Sequence, residues 1–157
     1  LKYINKICNI VKVKFKKVKT IGGYVPINYE FDCFKIIKLF ENKKFQISLP
    51  IITKKNKINF FDYSIKKPLK LSKLGIPEPL GDSKIIVPDL IFVPMISFDK
   101  NLYRLGYGGG YYDRYFAQYK NVIKIGLAYS FQEIEKVPVE KFDIKLDGII
   151  TEKKINL

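Results

Sequence analysis

The sequence predicts an α/β fold with a mainly parallel central sheet flanked by helices. Two apolar runs and the helical patterns around them carry that expectation. Asp89–Met95 (DLIFVPM) and Val122–Tyr129 (VIKIGLAY) are short and nearly continuous in apolar residues, as strands buried on both faces of a parallel sheet are. Segments with apolar residues three and four apart alternate with such runs, the pattern left by strand–helix–strand connections.

In chain order, Ile4, Ile7, Cys8, Val11, Phe15 and Val18 predict an amphipathic helix over Ile4–Val18. Thr20–Ile27 (TIGGYVPI) reads as a short strand containing a glycine pair and ended by Pro26 and Asn28. Phe34, Ile36, Ile37 and Phe40 predict a helix over Phe31–Phe40, with Glu30 and Asp32 near its start. Acidic residues there suit the positive end of the helix dipole. Phe45–Ile52 and Ile58–Tyr63 read as strands, and Pro68–Pro88, with Pro77, Pro79 and Gly81, as a loop. After the buried strand Asp89–Met95 come a glycine-rich loop over Arg104–Tyr112 and a helix over Tyr112–Tyr119. Gly148–Thr151 is a last short strand. No repeat, linker or composition break divides the chain, so residues 1–157 are expected to form one domain.

Composition narrows the chemistry. There is no histidine, which excludes Ser-His-Asp and Cys-His catalysis and any histidine-containing zinc site. Carboxylates, tyrosines, lysines, backbone amides and a hard metal remain. Cys8 and Cys33 are the two cysteines, and both read as small buried hydrophobes in a reducing, cytoplasmic setting. No apolar run approaches the roughly 18 residues that span a membrane. Leu1–Lys19 alternates lysines with apolar residues, unlike a signal peptide. The chain begins at Leu1 and its sole methionine is Met95, so a truncated, processed or unusual start is expected. The net charge of +14 calls for an anionic partner, yet the lysines run from Lys2 to Lys154 without forming a block. That dispersal suits a solvated surface better than a dedicated nucleic-acid face.

The densest signal is Arg104-Leu-Gly-Tyr-Gly-Gly-Gly-Tyr-Tyr-Asp113-Arg114, which holds both arginines and four of the ten glycines. Glycine lets backbone N–H groups approach a ligand, and arginine offers a planar fork matched to phosphate or carboxylate. Ligands of open parallel sheets bind beyond the carboxyl ends of the strands, and amides at a following helix start form an anion site. The spacing matches neither G-x-x-x-x-G-K-[ST] nor the full G-x-G-x-x-G, so a flexible turn would also account for it. Asp113 is either an arginine or helix-end partner or a Mg²⁺ ligand. Asp143 and Asp147 read as solvated loop carboxylates. Glu30 either caps a helix or accepts hydrogen bonds from a polar heterocycle, and Tyr107, Tyr111 and Tyr112 are suited to stacking on a flat ring.

Taken with Val93-Pro94-Met-Ile-Ser-Phe98-Asp99, this motif resembles the signature of the 5-formyltetrahydrofolate cyclo-ligase family. Ile76-Pro77-Glu78-Pro79, Gly23-Tyr24-Val25-Pro26 through Glu30, Gly126-Leu-Ala-Tyr-Ser130, Val137-Pro138-Val139 and Phe142-Asp143-Ile-Lys-Leu-Asp147 are similar to other parts of it. The resemblance runs from about residue 5 to the end. It implies a three-layer, Rossmann-like sandwich similar to the sugar-phosphate isomerase and coenzyme A transferase group. It also implies ATP- and Mg²⁺-dependent closure of 5-formyltetrahydrofolate to 5,10-methenyltetrahydrofolate, with release of ADP and phosphate. In that chemistry the formyl oxygen attacks the γ-phosphate, N10 attacks the activated carbon, and phosphate leaves.

By residue, the resemblance gives Arg104, Leu105, Gly106, Tyr107, Gly108, Gly109, Gly110, Tyr111 and Tyr112 to the nucleotide. Val25, Glu30, Tyr107, Gly108, Gly109, Gly110 and Tyr111 go to the folate, mono- or polyglutamylated. Asp113 and Asp143 go to Mg²⁺, and Arg104, Tyr111 and Asp113 to catalysis. A monomer that needs neither membrane nor nucleic acid is expected. Many members carry lysine where this chain has Gly109, so the phosphate-directed charge is expected from Arg104 or Arg114. The family's basic N-terminal helix lies upstream of the segment seen here, and the chain is expected to lack it. The competing readings are a basic nucleic-acid-binding module and another α/β enzyme that binds a phosphorylated metabolite.

Overall fold

The computed structural model describes residues 2–53 and 57–157; Leu1 and residues 54–56, which fall inside the single domain expected over 1–157, lie outside the described residues. Helix α1 (Lys2–Lys14) buries Ile7, Cys8 and Val11. It stops short of the expected Val18, turning at Phe15, while Val18 continues the same apolar face from the following turn. Strand β1 (Thr20–Gly22) is shorter than expected, and residues 24–27 leave the sheet. Helix α2 (Cys33–Asn42) buries Cys33, Ile36, Ile37 and Phe40. A Cβ on Gly23 would lie 2.7 Å from the Ile37 side chain of α2, and one on Gly22 would lie 2.8 Å from Ile91 on the other face, so the pair lets the strand be packed closely on both sides.

Strands β2 (Gln46–Thr53) and β3 (Lys57–Tyr63) follow. The expected loop 68–88 contains three two-residue strands, β4 (Lys70–Leu71), β5 (Pro77–Glu78) and β6 (Ile85–Ile86). Strand β7 (Leu90–Val93) is wholly buried. Beyond it the chain folds into a small hairpin of β8 (Ser97–Phe98), a stretch given no element from the sequence, and β9 (Arg104–Leu105), which opens the expected loop. Helix α3 (Tyr111–Gln118), strand β10 (Ile123–Leu127), a 3₁₀ turn (Ser130–Gln132), β11 (Gly148–Ile150) and β12 (Ile155–Asn156) complete the chain.

The main sheet has the order β12-β11-β10-β7-β1-β2-β3-β6. Its five inner strands, β11, β10, β7, β1 and β2, are parallel, and β12, β3 and β6 are antiparallel additions at the edges. Alternation along β7 separates two cores. Leu90 and Phe92 pack with α1 and α2, whereas Ile91 and Val93 pack with Tyr115 and Phe116 of α3. All four β7 side chains are fully buried, each stabilising the fold by roughly 1.5–3 kcal/mol. Helices on both faces make the three-layer arrangement that the resemblance implies, around the mainly parallel sheet that the alternating pattern predicts.

Candidate active site

The carboxyl ends of β1, β2 and β7 open into a cleft of about 750 Å³. One wall is the β1–α2 connection, with Tyr24, Val25, Ile27, Asn28 and Glu30. The facing wall runs without interruption from Arg104 to Asp113. Ser72, Leu74 and the Ile76–Glu78 stretch form a side, and Pro138, Glu140 and Asp143 close another. Every residue assigned to a site from the sequence, from Val25 and Glu30 through the glycine loop to Asp113 and Asp143, therefore lines this one cleft. Asp147 does not; its Oδ2 accepts the Lys124 N–H at 2.8 Å and lies 2.9 Å from the Lys124 ammonium.

The glycine wall is anchored by an ion pair. Arg104 donates from Nη1 to Asp113 Oδ1 at 3.1 Å and from Nη2 to Oδ2 at 3.0 Å. The two side chains are 6% and 18% exposed, so the pair is sheltered and its fork geometry is the strong kind. Asp113 Oδ1 also accepts the Ile144 N–H at 3.0 Å, and Arg104 Nη1 donates to the Ile144 carbonyl at 3.3 Å. Three segments, β9, α3 and the 140–147 loop, are thus tied at one point.

Between these anchors the loop follows glycine geometry. Gly110 caps α3 with φ +62°, and Gly108 has φ +86°, conformations that cost other residues about 1–2 kcal/mol. Gly110 supplies no side-chain cap, so the first-turn amides of α3 keep their donors for a ligand oxygen. Arg114 donates to the Gly109 carbonyl at 2.7 Å, and its guanidinium lies 5.3 Å from the Tyr111 ring centroid. A Cβ on Gly109 would fall 2.4 Å from that ring. Tyr111 fills the space a side chain at position 109 would need.

The opposite wall is built differently. Asp32, not Glu30, caps α2, accepting the Lys35 N–H at 3.4 Å. That corrects the capping alternative for Glu30 and leaves its carboxylate for the cleft. Glu30 Oε2 accepts the Ile27 N–H at 2.9 Å, which folds the connection back on itself. Burial pushes the Glu30 carboxyl above its ordinary value, with the Ile27 hydrogen bond opposing. The Tyr24 hydroxyl donates to the Phe31 carbonyl at 2.8 Å and fixes the connection's far end. Burial also pushes the Tyr112 phenol well up, reinforced by the charge of Glu30 and opposed by Arg104.

Charge in the cleft runs against the rest of the chain. Its lining holds the carboxyl groups of Glu30, Glu78, Asp113, Glu140 and Asp143, and its sole basic residue among the described ones is Arg104. The described lysines lie elsewhere. Asp143 accepts the Glu140 N–H at 2.8 Å through Oδ2. No group of three or more carboxylates or thiolates able to hold a metal occurs among the described residues. Mg²⁺ takes one or two carboxylates beside phosphate and water oxygens; of the two carboxylates expected to do so, Asp113 has both oxygens on Arg104 and stands here as the arginine's partner, whereas Asp143, among the described residues, accepts from the Glu140 N–H alone.

The sequence reading missed Glu78 and Glu140 as lining groups and gave no role to Asp99. Asp99 is 1% exposed. Its Oδ1 accepts the N–H groups of Asn101 and Tyr103, and its Oδ2 accepts that of Val137. It shapes the β8–β9 turn that presents Arg104. The Asp99-Lys-Asn101 run was the available signal, since aspartate side chains commonly organise their own turns.

The family model described as the 5-formyltetrahydrofolate cyclo-ligase family matches residues 5–152. A protein of Haemophilus influenzae named 5-formyltetrahydrofolate cyclo-ligase is 31% identical over 146 residues, covering 88% of this chain and 78% of its own length. The Escherichia coli K12 protein of that name is 30% identical over 144 residues, covering 87% and 79%. The solved 5,10-methenyltetrahydrofolate synthetase of Aquifex aeolicus superposes with a TM-score of 0.75 at 34% identity, over 99% of this chain and 80% of its own. That of Mycoplasma pneumoniae gives 0.72 at 27% identity, over 95% and 82%.

Proposed function

Because the chain belongs to the 5-formyltetrahydrofolate cyclo-ligase family, we propose that it closes 5-formyltetrahydrofolate to 5,10-methenyltetrahydrofolate with ATP and Mg²⁺, releasing ADP and phosphate. The observation that carries the reading is that the glycine wall and the Glu30 wall face each other across one cleft. Two ligands that react with each other need such adjacency, because phosphoryl transfer is helped mainly by positioning and charge neutralisation.

The Leu105–Tyr112 backbone and the first-turn amides of α3 cradle the nucleotide phosphates, and Arg104 supplies the guanidinium. Asp143 would hold Mg²⁺, which neutralises charge on phosphate oxygens when bound, and Asp113 would join it by giving up one of its two Arg104 contacts. The five lining carboxylates support a nucleotide that enters together with cations rather than as a bare anion. Val25 and Glu30 receive the pterin, Glu30 accepting from ring N–H donors, while Tyr107 and Tyr111 flank it. Arg104, Tyr111 and Asp113 hold the reacting groups in line, and no protein nucleophile is required.

Among the described residues no helix is long and apolar enough to cross a membrane, and Cys8 and Cys33 are free and buried. We assign the enzyme to the cytoplasm as a monomer without nucleic acid, acting on mono- or polyglutamylated substrate. The test is to incubate the protein with 5-formyltetrahydrofolate, Mg²⁺ and ATP and follow the methenyl absorbance, omitting ATP as control. Absorbance that grows only with ATP is expected; none with ATP present would overturn the catalytic reading.

A further inference from the structure

We propose that Asp99 is a positioning residue for the nucleotide: its one buried carboxylate sets the Arg104 turn and the 137–143 loop against each other. The inference rests on the nucleotide reading given above and extends it to a side chain that is not part of the cleft lining. Oδ1 accepts the Asn101 N–H at 2.8 Å and the Tyr103 N–H at 3.2 Å, closing the β8–β9 turn from within. Oδ2 accepts the Val137 N–H at 3.0 Å, from a segment 38 residues further along. Tyr103 directly precedes Arg104, and Val137 directly precedes Pro138, which lines the cleft with Glu140 and Asp143. Two backbone contacts join the same segments. The Ile134 N–H donates to the Phe98 carbonyl at 2.8 Å, and the Leu146 N–H to the Leu102 carbonyl at 3.0 Å.

The division of the two oxygens exceeds what a turn needs. One acceptor oxygen organises a turn of this kind, yet Asp99 is 1% exposed and, among the described residues, has three backbone donors and no cation. Burying a carboxylate is costly unless both oxygens are satisfied, and here that requires both segments to stay in place together. Leu102, inside the turn, has φ +67°, a conformation leucine keeps only where its surroundings impose it. Asp99 therefore couples the backbone that presents Arg104 to the loop that carries Glu140 and Asp143. A phosphate that meets groups from both segments would feel a shift of either, since misplacement by about 1 Å carries a large loss. Among the described residues, the Val25–Glu30 wall takes part in none of these hydrogen bonds.

The test is equilibrium binding of Mg²⁺–ADP and, separately, of 5-formyltetrahydrofolate to the wild type, Asp99→Asn and Val137→Pro. An asparagine has one acceptor oxygen, so whichever way its amide turns, one of the two segments loses its acceptor. Val137→Pro leaves Asp99 intact and deletes the shared N–H, at a position that Pro138 already biases toward extended backbone. Each variant is expected to weaken Mg²⁺–ADP binding about tenfold, the lower end for a hydrogen bond to a charged group, and to leave folate binding unchanged. Should one variant not fold, the other carries the same comparison. A measurement on the wild type needs neither: Mg²⁺–ADP should slow hydrogen exchange at the Tyr103 and Val137 amides together, and 5-formyltetrahydrofolate alone should not. Equal weakening of both ligands, unchanged Mg²⁺–ADP binding, or amides indifferent to nucleotide overturns the proposal. Wild-type protein that binds 5-formyltetrahydrofolate but not Mg²⁺–ADP would overturn the nucleotide reading itself, a distinguishable result.

Discussion

The two walls of the cleft each present a carboxylate, and they hold it by opposite means. On the glycine wall Asp113 is locked to Arg104 by a two-point ion pair and further tied to Ile144. On the β1–α2 wall Glu30 has, among the described residues, a single backbone donor and no cation, and burial raises its pKa. A paired carboxylate contributes to the scaffold, and removing one partner leaves a sheltered charge uncompensated. A desolvated, thinly partnered one contributes little to the fold and keeps its acceptor capacity for a ligand. One wall is thus fastened before a ligand arrives, and the other is completed by it.

The largest expected effect comes from breaking the fastened wall. Asp113→Ala should lower stability by about 3 kcal/mol, near the lower end for a buried pair that loses one partner, read as a shift in the urea midpoint. Replacing both partners with leucine should recover most of that stability while methenyl formation stays absent. Asp113→Asn, which preserves shape, should also abolish ATP-dependent methenyl formation. A neutral effect of Asp113→Ala on the urea midpoint would erase the distinction between the walls.

Glu30→Gln tests the other side. It should weaken 5-formyltetrahydrofolate binding by roughly 10- to 100-fold, the range for hydrogen bonds to a charged group. Stability at neutral pH should not fall. The folded-state pKa is raised, so ionising Glu30 opposes folding as pH rises through that range, and glutamine removes the penalty. Folate binding by the wild type should weaken as pH drops through the raised Glu30 pKa, above the ordinary carboxylate range, and the variant should show no such limb. A third test returns to the glycine wall. Gly110→Ala meets a positive φ and, in the unadjusted structure, an Arg114 nitrogen 2.8 Å from the new Cβ. It should cost about 1–2 kcal/mol and weaken Mg²⁺–ADP binding more than folate binding.

Legibility in the sequence followed the same division. The buried strands β7 and β10 and all three helices were visible because continuous apolar runs and three-to-four spacing survive any tertiary context. The glycine wall was visible because its geometry demands glycine and its ion pair concentrates both arginines. The β8–β9 hairpin, the three short strands within 68–88 and edge strand β12 were not. Each has two residues, too few for a period to show. Glu30 could not be distinguished from a helix cap until Asp32 was seen to cap α2. Glu78 and Glu140 were hidden for a related reason. They lie on loops whose approach to the cleft is set by distant chain segments rather than by their own neighbours.

The smallest predicted effect tests whether the contrast belongs to the cleft or to carboxylates at large. Asp89 sits at the amino end of β7, away from the cleft. Its Oδ2 accepts the Lys19 N–H at 2.8 Å and the Thr20 N–H and hydroxyl, each at 2.9 Å. Burial works to raise its pKa, but those hydrogen bonds outweigh it and the carboxyl is lowered. A lowered folded-state pKa means the stabilisation is present above the unfolded value and is lost as pH falls through the folded one. Asp89→Asn should therefore cost about 1 kcal/mol at neutral pH and progressively less toward acid, measured by urea titrations across that range. Folate and nucleotide affinities should stay at wild-type values. If they fall with stability as they do for Asp113, the cleft's response reports general loosening of the sheet, and the separate duties of its two walls would have to be abandoned.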